Sequence, residues 1–208
     1  MNFFVTGTDT DVGKTFITAL LTRSLRRAGF DTVAMKPISC GEFGDSLALQ
    51  EAANSELSLE EVTPVSFRAP LAPIEAARLE GRVFEPSGIL PIFEHLRKKH
   101  RSILVEGVGG WLVPLAENYT GADLAKAMGM PVLLVVRNRL GALNHTLLTL
   151  ESIQCHGLIC GGIVINNHPE DRDDSAGHGN RRLLSSLTKV PIIFEIQPGQ
   201  SELELAVV

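Results

Sequence analysis

The stretch Gly7-Thr8-Asp9-Thr10-Asp11-Val12-Gly13-Lys14-Thr15 brings together glycines, a lysine and a hydroxyl in the order that phosphate binding requires. An apolar run precedes it and a helical pattern follows, so backbone N–H groups and a helix N-terminus would converge on an anion there. Lys14 then supplies a point charge to the β- and γ-phosphates of a nucleotide, and the Thr15 hydroxyl is placed to ligate Mg2+. The spacing departs from the common form. Five residues separate Gly7 from Gly13, one more than usual, which leaves Thr8 at the customary first-glycine position. Carboxylates next to phosphate repel it, so Asp9 and Asp11 either favour the positive end of the helix or face a cationic substrate or the ribose.

Other reactive residues follow apolar runs. Val105-Glu106-Gly107-Val108-Gly109-Gly110 closes one such run. An acid at the carboxyl end of a strand is the natural partner for Mg2+, and the glycines let backbone approach a ligand closely. Lys36 ends Ala34-Met35-Lys36-Pro37 in the same way. A lysine there is costly unless paired, so it either binds phosphate or an anionic intermediate, or snorkels to the surface. Cys40 has no histidine near it in sequence and reads as a packing residue before Gly41. Asp45, just ahead of Leu47-Ala48-Leu49, is either a helix N-cap or a second carboxylate for the metal. The six histidines show no i,i+4 pairing and no cluster with cysteine, which argues against zinc. No GxSxG elbow is present for serine hydrolysis.

These positions need a scaffold that gathers strand ends. Short Val- and Ile-rich runs supply one: Asn2–Val5, Thr32–Met35, Ser102–Val105, Val132–Val136, Gly162–Ile165 and Val190–Phe194. Helical patterns alternate with them, the first from Lys14 to Ala28 and others near 45–54, 87–100, 120–128, 142–155 and 179–188. Continuous apolar strands alternating with helices predict a doubly wound α/β fold, a mostly parallel sheet covered on both faces. The chain has 208 residues, which predicts a single domain over 1–208. Residues 63–73, with three prolines, read as an extended connector. Residues 167–180 are almost free of apolar side chains and read as a mobile, solvated loop or else as a lid ordered by substrate.

Composition narrows the partners. With 19 Lys+Arg against 24 Asp+Glu the formal net charge is −5, which argues against a nucleic-acid or anionic-membrane binder. No apolar run is long enough to span a bilayer, and the start lacks the features of a signal peptide. Three scattered cysteines without a CxxC suit a reducing cytoplasm.

Taken together, these segments closely resemble the dethiobiotin synthetase family of the phosphate-loop NTPases. The resemblance is carried by FVTGTDTDVGKT (Phe4 to Thr15), KPISCG (Lys36 to Gly41), DSLALQ (Asp45 to Gln50) and APLAPIEAA (Ala69 to Ala77). It continues through LVEGVGGW (Leu104 to Trp111), RLGALNH (Arg139 to His145) and INN (Ile165 to Asn167), in the family's order. The extra residue in the phosphate loop is a hallmark of that family. The resemblance implies a ligase of biotin biosynthesis that uses ATP and CO2 to close the ureido ring of dethiobiotin on 7,8-diaminopelargonic acid, releasing ADP and phosphate. It implies catalytic roles for Lys36, Lys14 and Thr10, and Mg2+ held by Thr15, Asp45 and Glu106. Asp11, Val12, Gly13, Phe16, Gly107, Val108 and Gly109 would join the nucleotide site, with Asn166, Asn167, Gln197, Pro198 and Gly199 on the base side. Cys40 would border the substrate, although relatives commonly carry Ser or Thr there. The family is a homodimer, in which Gly141, Ala142, Leu143 and Asn144 would cap the distal carboxylate of substrate bound in the neighbouring subunit.

Two competitors are weaker. A cobyrinic acid diamide synthase would need a glutaminase domain for which 208 residues leave no room. A partitioning ATPase carries a signature lysine where Asp9 stands, and a basic amphipathic tail that is missing here.

Overall fold

The N-terminal apolar run becomes the centre of the sheet. In the computed structural model, which describes residues 2–171, 174 and 177–204, β1 (Asn2–Gly7) leads through the glycine loop into α1 (Lys14–Arg27). Next come β2 (Thr32–Met35), β3 (Ile38–Cys40), α2 (Gly44–Ala52), α3 (Leu59–Val62), β4 (Val65–Phe67) and α4 (Pro73–Leu79). The middle of the chain forms α5 (Ile89–Lys99), β5 (Ser102–Glu106), β6 (Pro114–Ala116), β7 (Tyr119–Thr120) and α6 (Gly121–Met128). The last part supplies β8 (Val132–Arg137), α7 (Ala142–Cys155), β9 (Cys160–Asn166), α8 (Gly177–Leu187) and β10 (Ile192–Ile196).

Six strands form a parallel sheet in the order β10-β9-β8-β1-β5-β2. Both its faces are covered, which is why its strands read as unbroken apolar runs. On one face Ile17, Leu20, Leu21 and Leu25 of α1 pack against Val5, Leu104, Val135 and Val164. The larger cluster on the other side joins Phe4, Val33, Met35, Ile103 and Val105 to Phe93, Leu96, Leu124 and Met128. All six strands run the same way, so their carboxyl ends share one edge. Register sets Val5 beside Glu106, Gly7 beside Val135, and Arg137 beside Asn166.

Several expectations need correction. The 63–73 connector contains β4, which pairs with β3 in a small separate sheet, and Pro73 opens α4. Proline at the first helical turn costs no hydrogen bond, so that residue starts an element and does not merely break one. The last strand is Ile192–Ile196, shifted two residues onward from the apolar run at 190–194. The described residues of 167–180 include regular elements that the sequence pattern did not place. Pro169–Asp171 make a 3-10 turn, α8 begins at Gly177, and Arg137 donates to Asp171 and Glu170. Arg172, Asp173, Ser175 and Ala176 lie outside the described residues. At the opposite edge of the sheet, His100 Nδ1 sits 2.9 Å from Asp31, and Glu56 meets Arg26 at 3.0 Å. That network ties the start of β5 to the α2–α3 turn, and sequence spacing gave no sign of it.

Candidate functional site

The site is the cleft at the carboxyl edge of the sheet. Its volume is about 1090 Å³, and Thr10, Asp11, Gly13, Lys14, Thr15, Lys36, Cys40, Asp45, Glu106, Val108 and Gly109 all line it. These come from five separate stretches of sequence, each ending or following a strand.

The phosphate loop is held from within and from below. Gly13 has φ +91°, a conformation that L side chains rarely adopt, and Asp11 also sits at positive φ. A Cβ on Gly13 would collide with Asn166 Nδ2, which donates to the Val12 carbonyl at 2.9 Å. Val12 is buried beneath the loop among the α1-side core residues. Lys14 folds back so that its ammonium donates to the Asp9 carbonyl at 3.0 Å. Asp9 accepts from the Thr10 N–H, and its other oxygen lies 3.9 Å from Arg139. Its carboxylate therefore shapes the turn.

Charged groups dominate the floor. Lys36 is buried, and its ammonium lies 2.8 Å from Asp45 Oδ2 and 2.5 Å from Glu106 Oε1. Burial pulls its pKa down, but the charges of Glu106 and Asp45 outweigh this and raise it above the ordinary lysine value. Lys14 moves the opposite way, lowered by burial, with Glu106 only partly compensating. Burial would raise the Asp45 carboxyl, yet Lys36 holds it below the usual range. Asp45 is not an N-cap. Phe43 takes that position, and the Asp45 side chain turns from the first turn of α2 toward Lys36. Glu106 is fully buried: Oε1 accepts from Thr15 Oγ1 at 2.8 Å, while Oε2 has no hydrogen-bond partner among the described residues. A hydroxyl and two carboxylates, one with an unpartnered buried oxygen, are hard oxygen donors of the kind Mg2+ takes.

Other expected residues fall elsewhere. Gly107 is buried at the base of the glycine turn, where a Cβ would press on the Phe4 ring. Phe16 is on the exposed face of α1 and does not line the cleft. Asn166, expected on the base side, is buried, and its side-chain N–H donates to the Val12 carbonyl under the phosphate loop. A second cleft of about 560 Å³ adjoins β9 and β10, lined by Asn167, Gln197 and Pro198 with Asn138, Arg181 and Glu195. Gly199, at φ +81°, turns the chain just beyond it. Gly141, Ala142, Leu143 and Asn144 line neither cleft; Gly141 opens α7 at φ +90° without a side-chain cap.

The Cys40 thiol, half-buried on the cleft wall, is pushed up to about 11 by burial. It is a neutral packing group and a poor nucleophile. Sequence reasoning missed Arg137, His168, Glu170 and the Pro70–Pro73 wall. Arg137 was legible: it follows Val132–Val136 as Lys36 follows Thr32–Met35.

A family model described as an AAA domain matches residues 1–203. The ATP-dependent dethiobiotin synthetase BioD of Akkermansia muciniphila is 43% identical over 206 residues, 99% of this chain and 96% of that protein. The chain belongs to the ATP-dependent dethiobiotin synthetase family. The enzyme of that name from Anaeromyxobacter sp. strain K is 48% identical over 173 residues, covering 81% of this chain and 78% of its own length. That of Bacillus subtilis strain 168 is 38% identical over 196 residues, covering 92% and 84%. As a dethiobiotin synthetase family member the chain is a ligase. Among solved structures, the septum site-determining protein MinD of Pyrococcus horikoshii, complexed with Mg-ADP, superposes with TM-score 0.60 at 18% identity. It covers 94% of this chain and 81% of its own. The signal recognition particle receptor FtsY of Elizabethkingia anophelis, in complex with GDP, gives 0.59 at 15% identity, covering 98% and 59%. Both likenesses concern the phosphate-loop fold alone.

Proposed function

We propose that this chain makes dethiobiotin from 7,8-diaminopelargonic acid, CO2 and ATP, using the cleft between the phosphate loop and Lys36. The observation that carries the reading is the meeting of Lys14, Lys36, Asp45, Thr15 and Glu106 in one cleft, in a chain 43% identical to a named dethiobiotin synthetase. One substrate amine takes up CO2, losing a proton to give a carbamate. A carbamate oxygen attacks the γ-phosphorus of ATP and ADP leaves. The second amine attacks the carbonyl carbon of the mixed anhydride, phosphate leaves, and the ring closes with loss of a proton.

The chain's part is positioning and charge. The loop from Thr10 to Gly13 offers backbone N–H groups to the phosphates, and Lys14 and Lys36 meet the oxygens that gain charge during transfer. Thr15, Asp45 and Glu106 would hold Mg2+, which when bound draws charge from the β- and γ-oxygens. Asn167, Gln197 and Pro198 border the base-side cleft, with Gly199 just beyond it, and Cys40 would border the diamine. Burial lowers the pKa of Lys14, and a carbamate or phosphate entering beside it would favour its charged form.

A second copy of the chain completes the site in this reading. The start of α7 lines neither cleft, and Leu140 beside Gly141 is 80% exposed. Free N–H groups at a helix N-terminus suit a carboxylate, here the distal one of a substrate held by the partner. Among the described residues no helix is long and apolar enough to cross a membrane. The three cysteines are free, which fits work in a reducing cytoplasm.

The test is ADP release by purified protein. It should require MgATP, bicarbonate and diamine together, and Lys36→Ala should lower kcat by roughly tenfold or more, since that charge acts mainly in the transition state. Turnover at full rate without the diamine would refute the reading.

A further inference from the structure

Lys36 occupies ground that a divalent ion would claim. Its ammonium touches Asp45 and Glu106 at once, and Thr15 Oγ1 meets the same Glu106 oxygen. Glu106 Oε1 thus receives two donors while Oε2, equally buried, receives none among the described residues. An ammonium has three N–H donors, and two are spent on these carboxylates. The third can reach a carbamate or phosphoryl oxygen, but an ion taking the same Asp45 and Glu106 oxygens obliges the ammonium to leave them. Glu106, fully buried, would keep an uncompensated charge if the ammonium left and no other cation replaced it. The charges already balance: Lys14 and Lys36 against Asp45 and Glu106. Lys36 can leave both carboxylates for an incoming anion only when a cation arrives to replace it.

We propose that Lys36 is a displaceable counterion, which holds the divalent ion's place between Asp45 and Glu106 until the ion enters and releases its ammonium toward the reacting anions. This rests on the reading of Thr15, Asp45 and Glu106 as the ion's holders. It makes the lysine and the metal a single device. The cleft stays electrically closed while empty, and the reactive charge is exposed only when metal and nucleotide are both in place.

Mn2+ binding to the nucleotide-free protein, followed by electron paramagnetic resonance, tests the exchange without any turnover. An opposite charge a few ångströms away shifts proton affinity by one to three units, so removing the competitor in Lys36→Met should tighten Mn2+ roughly tenfold or more. Lys36→Arg, which keeps a cation there, should bind Mn2+ much as the wild type does. If Lys36→Met is unfolded without metal, Mn2+ titration followed by circular dichroism reads the same affinity, and refolding below the wild-type half-saturation point supports the exchange. Equal or weaker Mn2+ binding by Lys36→Met overturns it, as does tightening of the same size in Lys36→Arg. Glu106→Gln should lose the ion. If it binds Mn2+ undiminished, the ion lies elsewhere and the exchange falls, while diamine-dependent ADP release stands or falls by its own assay.

Discussion

Replacing Gly13 with alanine should damage the site through two separable costs, which a double-mutant cycle with Asn166 can pull apart. The first is conformational. Gly13 has φ +91°, and holding an L residue in a left-handed conformation costs about 1–2 kcal/mol. The second is a collision, because the new methyl falls on Asn166 Nδ2. Asn166 must move, and its 2.9 Å bond to the Val12 carbonyl goes with it. Leaving that acceptor unsatisfied costs about 1–3 kcal/mol. Gly13→Ala should therefore lose about 2–5 kcal/mol of stability, and Asn166→Ala about 1–3 kcal/mol. In the double variant the collision is gone and the bond is lost only once, so the total should match Gly13→Ala alone. The coupling then equals the Asn166→Ala cost, well above the ~0.3–0.5 kcal/mol scatter of independent sites. Urea unfolding with a shared m-value supplies the free energies, and titration with a non-hydrolysable ATP analogue should weaken in parallel. Additive losses would refute the argument, because they would mean that Asn166 does not brace Gly13.

Two further outcomes follow from protonation. Cys40, with its thiol pushed up to about 11 by burial, should resist iodoacetamide at pH 8 while exposed Cys155 is alkylated; Cys40→Ser should remain active, and rapid labelling of Cys40 by mass spectrometry would contradict this. Asp171 is held below the usual carboxylate range by its hydrogen bonds to Arg137, so its contribution is complete above its ordinary value of 3.8 and lost as pH falls through the lowered one; Asp171→Asn should cost about 1.5–3 kcal/mol at pH 7 and converge on wild type in acid, and an equal gap at both pH values would count against it.

The sheet was legible because burial on both faces writes strands as unbroken apolar runs. The strand-end rule then placed Lys36 and Glu106 in one cleft before any coordinates. Elements with few apolar side chains were not legible. Strand β3 directly follows Lys36-Pro37, and β4 lies among prolines; both are three residues long, too short for periodicity to register. The contact between Asn166 and Val12 spans 154 positions, and nothing local to either residue announces it. Asp45 shows a different limit. Its place before a helix fits both an N-cap and a ligand, and only the direction of the side chain separates the two.

Strand β1 lies between β5 and β8, both of which come much later in the chain. A ribosome therefore delivers the phosphate loop first and its supports last. Glu106 arrives some ninety residues after Thr15, and the brace at Asn166 some sixty later still. Because strand pairing at such separation is slow, the emerging N-terminal segment carries a nucleotide motif with no floor beneath it. The chain gains the means to spend ATP only after the strand that carries Asn166 has been made.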